Sequence, residues 1–315
     1  MHAFLSLVGL TAPLFVLVFL GYALASWGRW PKEVSDALTR FVFSVAIPAF
    51  LFRMMSEFWK LPPVDGRLLI AYFGACLIVF VLGKFVAQRM FRLDGVGQSV
   101  FALGGIFSNN VLLGVPLAKI TLGEASIPVV SLVLVFNSLI LWTLVTVSVE
   151  WARHRSVSWR GYLSAAKAVA TNPVVGGILL GTAWGATGVA LPGVLAQTLE
   201  LVGQVAVPLS LIALGMGLAQ YSIREGWRES AVICAMKLMV QPAVVFVLAR
   251  ALDLPPLETQ AVVMLAALPV GANVYLMSRQ FETLGGPVAA SLVISTAIAA
   301  ASTPLILALS ALSFR

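Results

Sequence analysis

Ten apolar stretches of about twenty residues each run through this chain, the length a helix needs to cross a bilayer. Their approximate cores are 5–25, 36–56, 67–88, 97–119, 127–149, 170–187, 194–219, 230–251, 257–281 and 287–311. Only 10% of the residues are charged, whereas a soluble domain carries about 25%. The expectation is an all-α polytopic membrane protein of ten helices. The formal charge of +7 then reads as a positive cytoplasmic face and not as a nucleic-acid surface. Ala23-Leu24-Ala25 resembles a signal-peptide cleavage site. No Lys or Arg precedes that first stretch, however, and it has a counterpart later in the chain.

That counterpart is an internal repeat. With the chain shifted by 160 residues, Thr11 and Pro13 fall on Thr171 and Pro173, Leu20-Gly21 on Leu180-Gly181, and Pro48 on Pro208. Eleven of the 38 positions from 11 to 48 are identical without a gap. Aligned prolines and glycines are hard to obtain by chance in apolar sequence. The expected organisation is two halves of five helices, residues 1–152 and 153–315. Five is odd, so the second half enters the membrane from the opposite side and the repeat is inverted. With the N-terminus outside, thirteen Lys and Arg fall on the inner side and six on the outer. Both termini are therefore expected on the outer face of the plasma (inner) membrane.

The fourth span is broken. Ser108-Asn109-Asn110 and Gly114-Val115-Pro116 interrupt an apolar run, and the ninth has the same character at Leu268-Pro269-Val270-Gly271-Ala272-Asn273-Val274-Tyr275. A slightly larger shift lays Asn110 on Asn273. Freed backbone groups cost several kcal/mol each in hydrocarbon, so a break survives only where protein or a watery cavity satisfies it. A proline kink with asparagines gluing helices together is one reading. Interrupted helices at matching places in two halves also mark transporter binding sites. Lys237 lies in the middle of the eighth span; it is either a charge for an anion or a partner of a backbone carbonyl. Arg53, near the end of its span and four residues before Glu57, is expected to snorkel or to form an interfacial ion pair.

No carboxylate lies mid-span, which argues against carboxylate-based cation coupling. Cys76 and Cys234 show no metal spacing, and His2 and His154 lie at the terminus and in a loop. No cofactor or metal is expected. With no hydrolase, protease or P-loop motif, neither is an enzyme.

Five motifs in order resemble the auxin efflux carrier family, which includes plant PIN-type carriers and bacterial malonate and malate permeases. They are Ser108-Asn109-Asn110 with Gly114-Val115-Pro116-Leu117, Asn172-Pro173, Val207-Pro208 with Leu214-Gly215-Met216, Lys237 with Pro242, and Leu268-Pro269. The resemblance implies crossovers in helices 4 and 9, a scaffold of helices 1, 2, 6 and 7, and a moving unit of helices 3–5 and 8–10. It also implies organic-anion transport and a homodimer through helices 2 and 7. Two departures stand out: no long loop separates the halves, and span three lacks the aspartate of the plant carriers. The resulting expectation is a small mono- or dicarboxylate carried by an elevator-like movement. Asn109, Asn110, Gly114, Pro116, Lys237, Pro269, Gly271, Asn273 and Tyr275 form the candidate site. A sodium-coupled symporter of the bile-acid-carrier type and a ligand-binding sensor without transport are the alternatives.

Overall fold

The computed structural model describes residues 2–60, 63–154, 171–221 and 226–312. These residues are helical throughout, apart from turns and one antiparallel bridge between Ser108 and Val270. The helices are α1 (His2–Ser26), α2 (Lys32–Met55), α3 (Arg67–Phe91), α4 (Gly95–Gly104), α5 (Asn110–Thr121), α6 (Ile127–His154), α7 (Pro173–Ala186), α8 (Gly193–Leu218), α9 (Trp227–Ala251), α10 (Pro256–Ala266), α11 (Ala272–Gln280) and α12 (Gly285–Leu312). Six stretches are helical, long and apolar enough to cross a bilayer: Lys32–Met55, Arg67–Phe91, Glu124–Arg153, Gly193–Leu218, Trp227–Ala251 and Gly285–Ser310. Large apolar side chains point outward from them, among them Ile70, Val81, Met239 and Val247, as a lipid-facing surface allows. Four of the basic residues in the inner-side tally, Arg155, Arg160, Lys167 and Arg224, lie outside the described residues.

Prolines shape three of the helices in the same way. Wide π-turns at Val42–Ala46, Asn110–Gly114 and Met236–Val240 are each followed, two residues on, by Pro48, Pro116 and Pro242. Proline has no N–H and its ring crowds the carbonyl four residues back. A widened turn takes up that displacement without breaking the helix.

Packing falls largely into two groups, bridged by α1, which also packs on α12 and α5. α1 packs on the second half of α8, and α2 packs on α7 and α8. Elsewhere α3 packs on α4 and α9, α4 on α6, α9 on α10 and α12, and α10 on α12. Glycines set the closest approaches in the first group. A Cβ on Gly21 would lie 2.1 Å from the Ile212 carbonyl oxygen, and one on Gly181 would lie 2.6 Å from that of Phe52. Each member of the first pair, moved by 160 residues, gives a member of the second. The residues that repeat in sequence therefore make equivalent contacts in space.

Near the end of α2, Arg53 pairs with Glu57 at 3.1 Å, and Lys60 joins from the other side at 3.2 Å. Partial burial works to raise the Glu57 carboxyl, but the hydrogen bonds and charges of Arg53 and Lys60 outweigh it and hold the group below its usual range.

Candidate functional site

α4 stops at Gly104 and α5 begins at Asn110; α10 stops at Ala266 and α11 begins at Ala272. The two intervening segments cross and bond to each other. The Asn109 amide donates to the Pro269 carbonyl at 3.0 Å, and the Gly271 amide donates to the Phe107 carbonyl at 2.8 Å. Glycine at 271 permits the approach, since a Cβ there would lie 2.9 Å from the Ser108 carbonyl oxygen.

Backbone groups that the crossing leaves free are met by side chains from neighbouring helices. Gln241 on α9 donates to the Ile106 carbonyl at 2.8 Å. Lys237, one turn earlier on the same helix and fully buried, donates to the Ala266 carbonyl at 2.5 Å. Thr303 of α12 donates to the Ala267 carbonyl at 3.1 Å, and Ser295 of α12 accepts from the Val270 amide at 3.0 Å. A cation at the carbonyl end of α10 also suits the negative pole of that half-helix. One helix, α9, thus bonds the carbonyl side of both breaks.

On the other side of the crossing the chain encloses a cavity of about 70 Å³, room for roughly five waters. Ser108, Asn109, Asn110, Asn137, Asn172 and Asn273 give it its polar lining; Phe43, Phe107, Leu134 and Val175 are among its apolar walls. Three helices start at its edge. α5 begins at Asn110 and α11 at Ala272, while α7 begins at Pro173 behind Asn172, whose side chain caps the Val174 amide at 2.9 Å. First-turn N–H groups have no intrahelical acceptor. Each such end also carries about half a positive charge. No charged side chain among the described residues lines the cavity.

Behind Asn110 lies a short polar chain. Its Nδ2 faces the Tyr72 hydroxyl at 3.3 Å and the Asn137 Oδ1 at 3.4 Å, and Tyr72 reaches Ser108 Oγ at 3.4 Å. These distances are long for hydrogen bonds and the contacts are weak. Asn110 Oδ1 is buried and has no partner in the protein.

Of the residues singled out from sequence, Asn109, Asn110, Gly271 and Asn273 stand on the cavity. The others stand apart from it. Pro269 supplies a carbonyl to the crossing. Gly114 packs against Leu268, and Pro116 lies in the first turn after the π-turn. Lys237 sits behind the crossing on Ala266. The Tyr275 ring stacks edge-on against Tyr221 with centroids 4.7 Å apart. Asn137 belongs to the lining but was not singled out, although a lone asparagine in an apolar span is a visible signal.

Comparison with known proteins places the chain among membrane transporters. The chain matches the family described as membrane transport protein over residues 6–161 and 154–307. It is 26% identical over 305 residues to a protein of Rhizobium meliloti (strain 1021) named "Putative malonate transporter", covering 94% of this chain and 93% of that one. An uncharacterized transporter of Methanocaldococcus jannaschii is 23% identical over 295 residues, covering 89% of this chain and 91% of the other. A protein of Oryza sativa subsp. japonica named "Probable auxin efflux carrier component 5a" is 29% identical over 147 residues, 45% of this chain and 40% of its own length. With both halves of its sequence matched, this multi-pass membrane protein belongs to the auxin efflux carrier family of membrane transport proteins.

Proposed function

We propose that the chain is a secondary transporter of small organic anions, mono- or dicarboxylates, and that the crossing of the two broken spans is its binding site. The observation that carries this reading is the convergence of three helix N-termini and five asparagines on one small cavity with apolar walls. Such an arrangement supplies partial positive charge without a bound counter-ion. The cavity size suits a ligand of a few heavy atoms, and the relative named for malonate points to the same class.

The reading includes ten spans in two inverted five-helix halves, residues 1–152 and 153–315. Equivalent contacts of Gly21 and Gly181 support it. So does the packing of α1, α2, α7 and α8 as one group, the proposed scaffold, against which the remaining helices slide in an elevator-type movement. In this scheme Lys237 holds the break from behind, and a second copy docks through α2 and α8, the second and seventh spans. Both termini lie outside.

Ligand-induced thermal stabilisation of purified wild type, Asn110→Ala and Asn273→Ala tests the site. Hydrogen bonds to charged groups are worth about 1.5–3 kcal/mol, so apparent affinity should fall roughly ten- to a hundredfold in each variant. Unchanged ligand shifts in both would remove the cavity from the mechanism. Lower stability with affinity retained would make the asparagines helix glue.

A further inference from the structure

Away from the crossing, α9 and α12 border a groove of about 720 Å³ with Val263 of α10 at its floor. The two helices start side by side. Ser230 donates to the Pro287 carbonyl at 2.7 Å, and one turn on the Cys234 thiol donates to the Ser291 carbonyl at 3.7 Å. Past the π-turn at Met236–Val240, the second half of α9 packs mainly on α3 and α10, and the gap toward α12 stays open. Its α9 side is low, with alanine at 231, 235 and 243, and its α12 side is high, with Ile294, Ile298 and Leu305. Met239, Ile298, Leu305 and Leu309 of this lining are exposed on the outside of the protein, within two of the helices long and apolar enough to cross a bilayer.

Hydrocarbon lines the groove almost throughout. Of its three polar residues, Cys234 and Ser310 already donate to the Ser291 and Leu307 carbonyls, which leaves Ser302. Such a surface suits an alkyl chain and offers little to an anion. From Ala231 to Phe246 it follows α9 for about 22 Å at 1.5 Å per residue. One leaflet of hydrocarbon is about 15 Å deep, half of the bilayer core, so the groove takes the full depth of one acyl chain.

The end of the groove at the start of α9 supplies the second half of the argument. Carried one turn back, the α9 stripe reaches Trp227 and Arg228, four and three residues before Ala231, and both are exposed. Tryptophan is enriched at the headgroup level, and the arginine fork matches phosphate oxygens bidentately. Arg228 has no ion pair among the described residues. Glu229 is in line with the buried Ile233 and Met236, on another face of the helix.

We propose that this groove is a phospholipid site: one acyl chain lies between α9 and α12, and the phosphate of the same molecule pairs with Arg228. The chain backs the π-turn of α9. Leu238, Met239 and Pro242 face the groove, while Lys237 and Gln241 of the same region reach the carbonyls of the two breaks. Without the chain those walls lose their dispersion contacts, so the lipid steadies the helix on which the crossing rests. The site is separate from the anion cavity and does not depend on which ligand that cavity takes.

The test is native mass spectrometry of the protein moved from phosphatidylglycerol and phosphatidylcholine vesicles into mild detergent, with melting temperatures read on the same samples. Wild type should keep one phospholipid per chain through washing that strips the rest. Ala235→Phe and Ala243→Phe, at exposed positions, place a ring in the slot and should each lose it. Arg228→Gln, on the surface, should retain roughly tenfold less and decides the matter if a phenylalanine is not tolerated. Phosphatidylglycerol added back to stripped protein should raise the melting temperature of wild type and leave that of Ala235→Phe unchanged. Diacylglycerol with the same chains but no phosphate should not substitute. A wild type that holds no phospholipid, or variants that all hold as much as wild type, overturns the site. Full retention in Arg228→Gln, or equal retention of diacylglycerol, overturns the phosphate contact and with it the phospholipid assignment. Phenylalanine variants that keep the lipid and instead split a dimer give the groove to a second copy of the chain and overturn the proposal.

Discussion

Replacing Lys237 by Met separates two roles for the buried cation. Met keeps the length of the side chain and leaves little void, but it cannot donate to the Ala266 carbonyl, the bond Lys237 makes at 2.5 Å. A hydrogen bond involving a charged group contributes about 1.5–3 kcal/mol, and a buried acceptor left alone is penalised. Working against this, the variant no longer holds an ammonium out of water, and apolar replacements of buried charges are often neutral or better. Two features decide the balance. The orphaned partner is a neutral carbonyl, so the loss is below the 3–5 kcal/mol typical of a stranded charge. Thr303 still bonds the adjacent Ala267 carbonyl, so the break keeps part of its support. The net destabilisation is then about 1–2 kcal/mol, a melting temperature lower by roughly 1.5–3 °C, read by tryptophan fluorescence in mild detergent. Lys237→Arg should not restore it, because a planar fork does not fit a slot shaped to one ammonium. Anion affinity in Lys237→Met should stay within about threefold of wild type. A melting temperature at or above wild type refutes the positioning role. A tenfold loss of affinity at unchanged melting temperature would instead make Lys237 a charge for the ligand.

Gly271→Ala should cost about 1–3 kcal/mol and abolish the ligand-induced shift, since the new Cβ meets Ser108 backbone at 2.9 Å; a variant as stable and responsive as wild type would contradict the close crossing. Gly21→Leu and Gly181→Leu should both prevent tight packing within the α1, α2, α7 and α8 group, seen as loss of folded protein in size-exclusion chromatography; damage from only one would break the proposed equivalence of the halves. A cysteine placed near Gly188 should react with an impermeant thiol reagent in intact cells, while one in 157–159, outside the described residues, should be shielded; the reverse pattern would invert the orientation.

Much of the helix layout is legible in the sequence because apolar length and proline or glycine interruptions are local signals. Gly114, Pro116, Pro269 and Gly271 mark both breaks by residue type alone. Prolines 48, 116 and 242 are equally visible, yet the π-turns ahead of them are not, because a proline can be met by a kink or by a widened turn. The pairing of the breaks is not legible at all. Whether Ser108 meets Val270 depends on how chain segments 162 residues apart cross. Gln241, Ser295 and Thr303 look like ordinary small or neutral polar residues in apolar spans, and only the position of a freed carbonyl or amide gives each its task. Tyr275 is a different case: a hydroxyl next to a broken helix suggests a ligand donor, and helical spacing sets its ring against Tyr221.

The bonding at the crossing also explains why the breaks come as a pair. The Asn109 and Gly271 amides each find their acceptor on the other segment, so neither break can be satisfied while the other span is a continuous helix. Closing one helix would strand two groups of its partner in an apolar interior, at several kcal/mol each. Lys237 and Gln241 extend this dependence to α9, which reaches one carbonyl of each break from a single π-turn region. The crossing, α9 and the Ser295–Thr303 face of α12 therefore behave as one unit. The Asn172 cap belongs to α7, which packs on α2 in the other group. The cavity lies where these two groups meet. In the proposed elevator scheme, a displacement of one group against the other would open it while leaving every bond of the crossing intact, with the boundary falling between Asn172 and Asn110.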